Sequence, residues 1–295
     1  MAMTAEQRVS AAGLIGRVSE RLTRGDLAER RREARLLLAL ALDRAEPVLP
    51  HEDIVFPPEA ETQLAAFISR RNEGEPVSRL RGWREFYSLR FYLNNATLDP
   101  RADSEVLVDT GLILARDMAG PLNIVDFGTG SGCLLLALLH HLQDAQGLGV
   151  DISADAIDAA RRNAKSLALD SRASWIVSDW DTDLGLDMFD LVISNPPYIA
   201  RGDIETLAPE VRLHDPLRAL DGGADGLEVW RRLLPVITRR LKPGGRAVAE
   251  IGHGQAEHVS ALAAENGLVL LTSHADLAGR TRCLVLSHEG DVSAA

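Results

Sequence analysis

The twenty residues from Leu122 to His141 restrict the fold more than any others. Leu122-Asn123-Ile124-Val125-Asp126-Phe127 is a short apolar run that leads directly into Gly128-Thr129-Gly130-Ser131-Gly132, and a helical stretch from Cys133 to His141 follows. A strand, a glycine loop and a helix in that order open a nucleotide-type βαβ unit, which predicts a parallel sheet with ligands at the carboxyl ends of its strands. The glycines let backbone come close to a ligand at the helix N-terminus.

Spacing decides which ligand. A dinucleotide fingerprint needs Gly or Ala at position 133, where Cys stands. The G-x-G-x-G found here, preceded by Asp126, matches instead the loop that wraps S-adenosylmethionine, so Gly128, Thr129, Gly130, Ser131 and Gly132 are candidate cofactor contacts. The next predicted strand, Gly147 to Val150, ends at Asp151, about 20 residues past the loop, where a carboxylate holds both ribose hydroxyls. A third, Ser174 to Val177, ends at Ser178-Asp179-Trp180. There Asp179 can accept from an adenine amino group while the Trp180 indole flanks the ring. A helix cap or an ordinary loop carboxylate is the plainer account of each aspartate, but the two stand at consecutive strand ends.

The fourth strand, Phe189 to Ile193, runs into Ser194-Asn195-Pro196-Pro197-Tyr198. Consecutive prolines fix φ and remove two backbone donors, leaving the carbonyls of Asn195 and Pro196 rigid. The Asn195 side-chain oxygen and the Pro196 carbonyl can each take one N–H of an amino or amide group, with the Tyr198 ring covering its plane. That arrangement suits a nitrogen about to be alkylated. Asn195, Pro196 and Tyr198 are therefore the candidate catalytic residues, and Asn195, Pro196, Pro197 and Tyr198 the candidate substrate-binding set. A bare Pro-Pro turn is the alternative.

Upstream the periodicity is helical. Thr4 with Gln7 has the form of a capping box, with Val9, Leu14, Ile15, Val18 and Leu22 at helical spacing after it. Asp26 with Glu29 marks a second start, and Pro57-Pro58 opens a third helix carrying Leu64, Phe67 and Ile68. From Gly82 the aromatic cluster Trp83, Phe86, Tyr87, Phe91 and Tyr92 predicts a β-hairpin or extended linker, either a joint between domains or a platform beside the substrate. Downstream come a long loop over 199–226, a helix over 227–241, the turn Lys242 to Gly245, a strand over 246–251, a helix over 255–266, and an antiparallel pair, 268–273 with 282–287. The expected organisation is an N-terminal helical domain over 1–80, a hairpin linker over 81–101, and a main domain over 102–290.

Charge and cysteine content bound the function. The net charge is −11, and while the first 101 residues carry 16 basic and 15 acidic side chains, the remainder carries 16 and 28. An acidic main domain repels a phosphate backbone, so no stable nucleic-acid complex is expected. Arg30-Arg31-Arg32 with Arg35 reads as a solvated helix face. Cys133 and Cys283 are the only cysteines; both are read as small core residues, and His140 and His141 as pointing to different faces of a helix, so no metal site is expected. No run reaches the ~18 apolar residues of a membrane span and no signal peptide opens the chain, which predicts a cytoplasmic protein without a membrane partner.

With the glycine loop, Asp151, Asp179-Trp180 and Asn195 to Tyr198 in order on successive strand ends, the sequence resembles the peptide chain release factor glutamine methyltransferases. The likeness extends through the helical N-terminal region, Arg84-Glu85-Phe86-Tyr87, Ala96-Thr97-Leu98 to Pro100-Arg101, and Asp215-Pro216 to Ala219-Leu220. The family usually has Pro at Ala102, Thr at Ser104 and Glu at Asp215. The resemblance implies an α/β fold, a seven-stranded class I methyltransferase (Rossmann-like) sheet with a small helical N-terminal domain and a hairpin linker. It also implies S-adenosylmethionine contacts at Gly128 to Gly132, Asp151, Trp180 and Asn195, and a glutamine side chain held by Asn195 to Tyr198. The implied partner is a class 1 release factor, methylated by a monomer on its Gly-Gly-Gln glutamine. Ribosomal-protein glutamine methyltransferases, and adenine amino methyltransferases of nucleic acids with the same NPPY-type motif, are the alternatives.

Overall fold

The computed structural model describes residues 8–292 except 183, 186 and 277. Contacts divide the chain into two units, one of residues 1–82 with 208–214 and one of 83–207 with 215–295. In the first, β1 (Arg8–Ser10) leads into α1 (Ala11–Arg21), followed by α2 (Leu27–Ala41), β2 (Asp53–Val55), α3 (Pro58–Asn72) and α4 (Val77–Arg81). Asp26 caps α2 as predicted: its carboxylate accepts from the Glu29 N–H at 2.9 Å and the Glu29 carboxylate accepts from the Asp26 N–H at 3.0 Å. The apolar stripes of α1, α2 and α3 meet through Leu14, Val18, Leu37, Leu38, Leu64 and Ile68. Val9 was expected in the first helix and instead lies in β1 opposite Ile54, a β-branched pair that suits a strand. The Thr4–Gln7 box lies outside the described residues.

The second unit opens with a hairpin, β3 (Trp83–Phe86) and β4 (Leu89–Tyr92), closed by Tyr87 and Ser88 at φ 51° and 60°. Two left-handed residues make the turn type that matches strand twist, here without glycine. Phe86 and Phe91 are buried with rings edge to face at 6.2 Å, and they join one apolar cluster with Leu107, Ile124 and Leu138. The hairpin is therefore built into the core of the sheet domain. After it come α5 (Glu105–Ala115), β5 (Asn123–Phe127), α6 (Cys133–His141), β6 (Gln146–Asp151), α7 (Ala154–Ser166), β7 (Ala173–Val177) and β8 (Phe189–Ser194). His140 and His141 do not diverge at the end of α6; their rings meet edge to face at 5.1 Å.

The loop after β8 contains α8 (Pro209–Arg212), which belongs to the first unit. There Glu210 accepts from Arg24 at 3.3 Å and from the buried Arg71 at 3.1 Å. The chain then forms α9 (Glu228–Arg240), β9 (Leu241–Glu250), α10 (Ala256–Glu265), β10 (Leu268–Ala275) and β11 (Thr281–His288). The expected turn at 242–245 is a bulge inside β9: Phe189 pairs with Leu241 and Leu191 with Arg246, so four residues bow out of the ladder.

The seven strands lie in the order β10-β11-β9-β8-β5-β6-β7, parallel except for β11, which runs antiparallel to both neighbours. This is the α/β sheet expected, with the antiparallel strand inserted between β9 and β10. Val125 and Phe127 pack on the side of α9 and α10, and Ile124 on that of α5 and α6. The chain leaves β5 toward β6 and β7 and returns on the other side as β8, so the crevice lies at the carboxyl ends of β5 and β8. Among the described residues no helix is long and apolar enough to cross a membrane.

Candidate active site

The glycine loop departs from β5 in a conformation that side chains resist. Gly128 and Gly130 have φ of 74° and 55°, and a Cβ on either would meet nothing within 4 Å. Their open side is the wall of a cavity of about 360 Å³. Gly132, also left-handed at φ 78°, faces the other way: a Cβ there would sit 2.8 Å from the Trp175 ring. It serves close packing and does not line the cavity. Asn163 holds the loop in place, donating to the carbonyls of Ser131 at 2.9 Å and Tyr92 at 3.1 Å, and so ties it to the hairpin.

Two carboxylates flank the loop. Asp126 is buried; Thr129 donates its hydroxyl to Oδ2 at 2.7 Å, and Oδ1 has no partner among the described residues. Burial pushes its pKa up to about 7, with the Thr129 hydrogen bond opposing. Asp151 accepts from the backbone N–H groups of Gly130 and Ser153, each at 2.9 Å, and burial raises its pKa against those two donors. Cys133, expected in the core, is only half buried and lines the cavity. Burial nonetheless pushes its thiol up to about 12.

At the end of β7, Trp180 is left-handed at φ 60°, with its ring edge to face with Phe127 at 6.4 Å. Its indole nitrogen is buried without a partner among the described residues. Asp179 is not free, since Arg232 contacts both of its oxygens at 2.8 and 2.7 Å. Asp151, Asp179, Trp180 and Arg232 line the cavity.

The end of β8 completes the wall. Ser194 donates its hydroxyl to the Phe127 carbonyl at 2.7 Å, locking β8 to β5 where the glycine loop begins. Asn195 and Pro197 line the cavity; Pro196 and Tyr198 do not. Pro196 is buried, and the Tyr198 hydroxyl donates to Glu250 Oε1 at 2.9 Å. The other oxygen of Glu250 accepts from the Ser104 hydroxyl at 2.5 Å, and Asn195 Nδ2 donates to Ser104 Oγ at 3.2 Å. Burial raises the pKa of both Glu250 and Tyr198. Glu250 and Ser104 were not among the expected site residues. A charged residue in the apolar run Ala247 to Ile251 was the available signal, because an ionised side chain enters a buried strand only with partners.

The segments around Arg101 and Asp215 also meet. Arg101 lines the cavity and donates to Asp215 Oδ2, while the Asp99 N–H donates to Asp215 Oδ1 at 3.1 Å. Asp215 is buried, and the two segments are held as one wall.

The family model described as Methyltransferase small domain matches residues 104–239, and that described as PrmC N-terminal domain matches residues 14–82. The release factor glutamine methyltransferase of Rhodospirillum rubrum is 44% identical over 92% of this chain and 83% of its own length. That of Bradyrhizobium diazoefficiens is 42% identical over 90% of this chain and 91% of its own. Among solved structures, the ribosomal protein L11 methylase of Lactobacillus delbrueckii subsp. bulgaricus aligns with 64% of this chain and 80% of its own, with TM-score 0.48 and 23% identity. A seven-stranded sheet, a glycine loop and an NPPY segment at adjacent strand ends, and relatives more than 40% identical over most of their length lead to one assignment: this chain belongs to the release factor glutamine methyltransferase family.

Proposed function

We propose that this protein transfers a methyl group from S-adenosylmethionine to the side-chain amide nitrogen of the glutamine in the Gly-Gly-Gln loop of class 1 release factors. One observation carries the reading: Asn195 and the open face of the glycine loop line the same cavity. The residues present fit the donor. Gly128 and Gly130 offer backbone with open space beside it, Asp151 and Asp179 offer carboxylates, and Trp180 Nε1 is a buried polar atom lacking a protein partner among the described residues. Thr129 and Ser131, which also line the cavity, complete the part of the loop that would hold it.

When bound, S-adenosylmethionine supplies a methyl group on a sulfonium, open to in-line attack. The protein's part follows from the weakness of the nucleophile, since an amide nitrogen has its lone pair delocalised into the carbonyl. Asn195 Oδ1, at the cavity wall, accepts an amide N–H, orients the nitrogen and stabilises positive charge as it develops. Pro197 shapes the pocket for the amide plane, and Tyr198 steadies the segment from behind through its hydrogen bond to Glu250. The proton leaves to water after transfer. The acidic main domain speaks against a nucleic-acid substrate, and the same reading makes the protein a cytoplasmic monomer.

The test is methyl transfer from labelled S-adenosylmethionine to purified release factor, to its Gly-Gly-Gln variant with Gln→Ala, and to DNA. Label on the wild-type factor alone is expected. Label on DNA, on ribosomal protein, or on the Gln→Ala factor overturns the substrate.

A further inference from the structure

We propose that Glu250 is a positioning residue that, through Ser104, fixes which atom of the Asn195 amide faces the cavity. The inference rests on the reading of Asn195 as the acceptor of the substrate amide.

The order of donors leaves one arrangement. Ionised, with Arg282 as its attracting charge, Glu250 has only acceptors, so the 2.5 Å contact between its Oε2 and Ser104 Oγ takes the single hydroxyl proton of Ser104. Ser104 Oγ can then only accept from its next neighbour. That neighbour is Asn195 at 3.2 Å, which must present its NH2, and Oδ1 is turned away from Ser104. An Asn left to itself has two nearly isosteric orientations, one of which would offer the incoming amide N–H a donor and repel it. The second oxygen of Glu250 accepts from Tyr198 at 2.9 Å, so one carboxylate braces both ends of Asn195 to Tyr198. Glu250 and Ser104 are almost fully buried, which keeps water from substituting for either bond. Around the carboxylate stand Arg282 and Cys283 on β11, Asp103, Ser104 and Tyr198, with Arg282 the attracting charge.

Ser104→Ala removes the relay with little change in volume, Ser104→Thr keeps the hydroxyl, and Glu250→Gln replaces an acceptor-only group with one that also donates. Turnover on release factor is measured at saturating donor, alongside S-adenosylmethionine affinity by calorimetry and Tm. The expected result is a fall in kcat of about tenfold to 10²-fold in Ser104→Ala and in Glu250→Gln. Donor affinity stays within about twofold, Ser104→Thr recovers most of the loss, and the double variant is no worse than the weaker single one. Wild-type kcat in Ser104→Ala, losses that multiply in the double variant, or failure of Ser104→Thr to rescue overturns the proposal. Asn195→Ala separates the two readings: if it retains turnover, the acceptor assignment fails and this inference with it, whereas if it loses turnover while Ser104→Ala does not, only the role of Glu250 fails.

Discussion

Asp151 and Glu250 are both carboxylates at the carboxyl ends of strands of one sheet, both shifted upward by burial, and held by opposite means. Asp151 accepts from two backbone N–H groups at 2.9 Å, donors that the turn after β6 and the glycine loop supply whatever side chains they carry. Glu250 accepts from two hydroxyls, those of Ser104 and Tyr198, which the sequence can remove one at a time. The glycine-loop end of the crevice is made largely of main chain, and the Asn195 end largely of side chains. Main chain gives a binding surface that is durable and general; side chains give an orientation that single substitutions can spoil.

The sharpest break of this contrast is Asn195→Ala. Losing a preorganised group at the reacting nitrogen lowers turnover by about 10² to 10³. The glycine-loop end stays intact, and donor binding remains measurable. Equal turnover at saturating donor would show that the side-chain end does not orient the amide. Asp151→Ala should act in the opposite sense, weakening S-adenosylmethionine by roughly 10- to 10²-fold in calorimetry, the value of hydrogen bonds to a charged group of about 1.5–3 kcal/mol. An unchanged Kd would remove Asp151 from the donor site.

Two glycines refine the main-chain half. Gly132→Ala drives a Cβ against Trp175 at a left-handed position, so denaturant unfolding should show a loss of roughly 2–5 kcal/mol. Gly128→Ala pays only the left-handed strain of about 1–2 kcal/mol, but its methyl projects into the cavity and should reduce donor affinity more than stability. If the two variants lose stability equally, the division of the loop into packing and contact glycines is wrong.

The remaining expectation concerns pH dependence. The folded-state pKa of Asp126 is raised from 3.8 to about 7, so between those values the folded protein binds more protons than the unfolded chain. Stability from this group therefore falls as pH rises from about 4 to about 7. Asp126→Asn cannot ionise, and its Tm should drop less between pH 5 and 7.5 than that of the wild type. Parallel Tm curves would mean that Asp126 is not a buried titrating group.

How much of this was legible beforehand follows the same division. The strand, loop and helix around Gly128, the strand end at Asp151, and the NPPY segment after β8 depend on local spacing, and they stand at adjacent strand ends. The NPPY segment did not reveal that Pro196 and Tyr198 turn from the cavity while Asn195 and Pro197 face it, because that depends on what lies behind. Ser104 and Glu250 are separated by 146 residues, and no local pattern joins a helix-start serine to a strand glutamate. The Asp179–Arg232 pair spans 53 residues and was hidden for the same reason. Val9 went to a strand because its partner, Ile54, lies beyond the reach of helical periodicity.

The position of β11 bears on how the protein is made. Residues 283–287 are buried between β9 and β10, so during synthesis the ribosome delivers both flanking strands before the one that joins them. Until residue 288 has emerged, β9 presents an open, apolar edge and β10 has no neighbour in the sheet. Closure of the sheet thus waits on β11, and until that strand arrives the edge of β9 is open to strand-to-strand association.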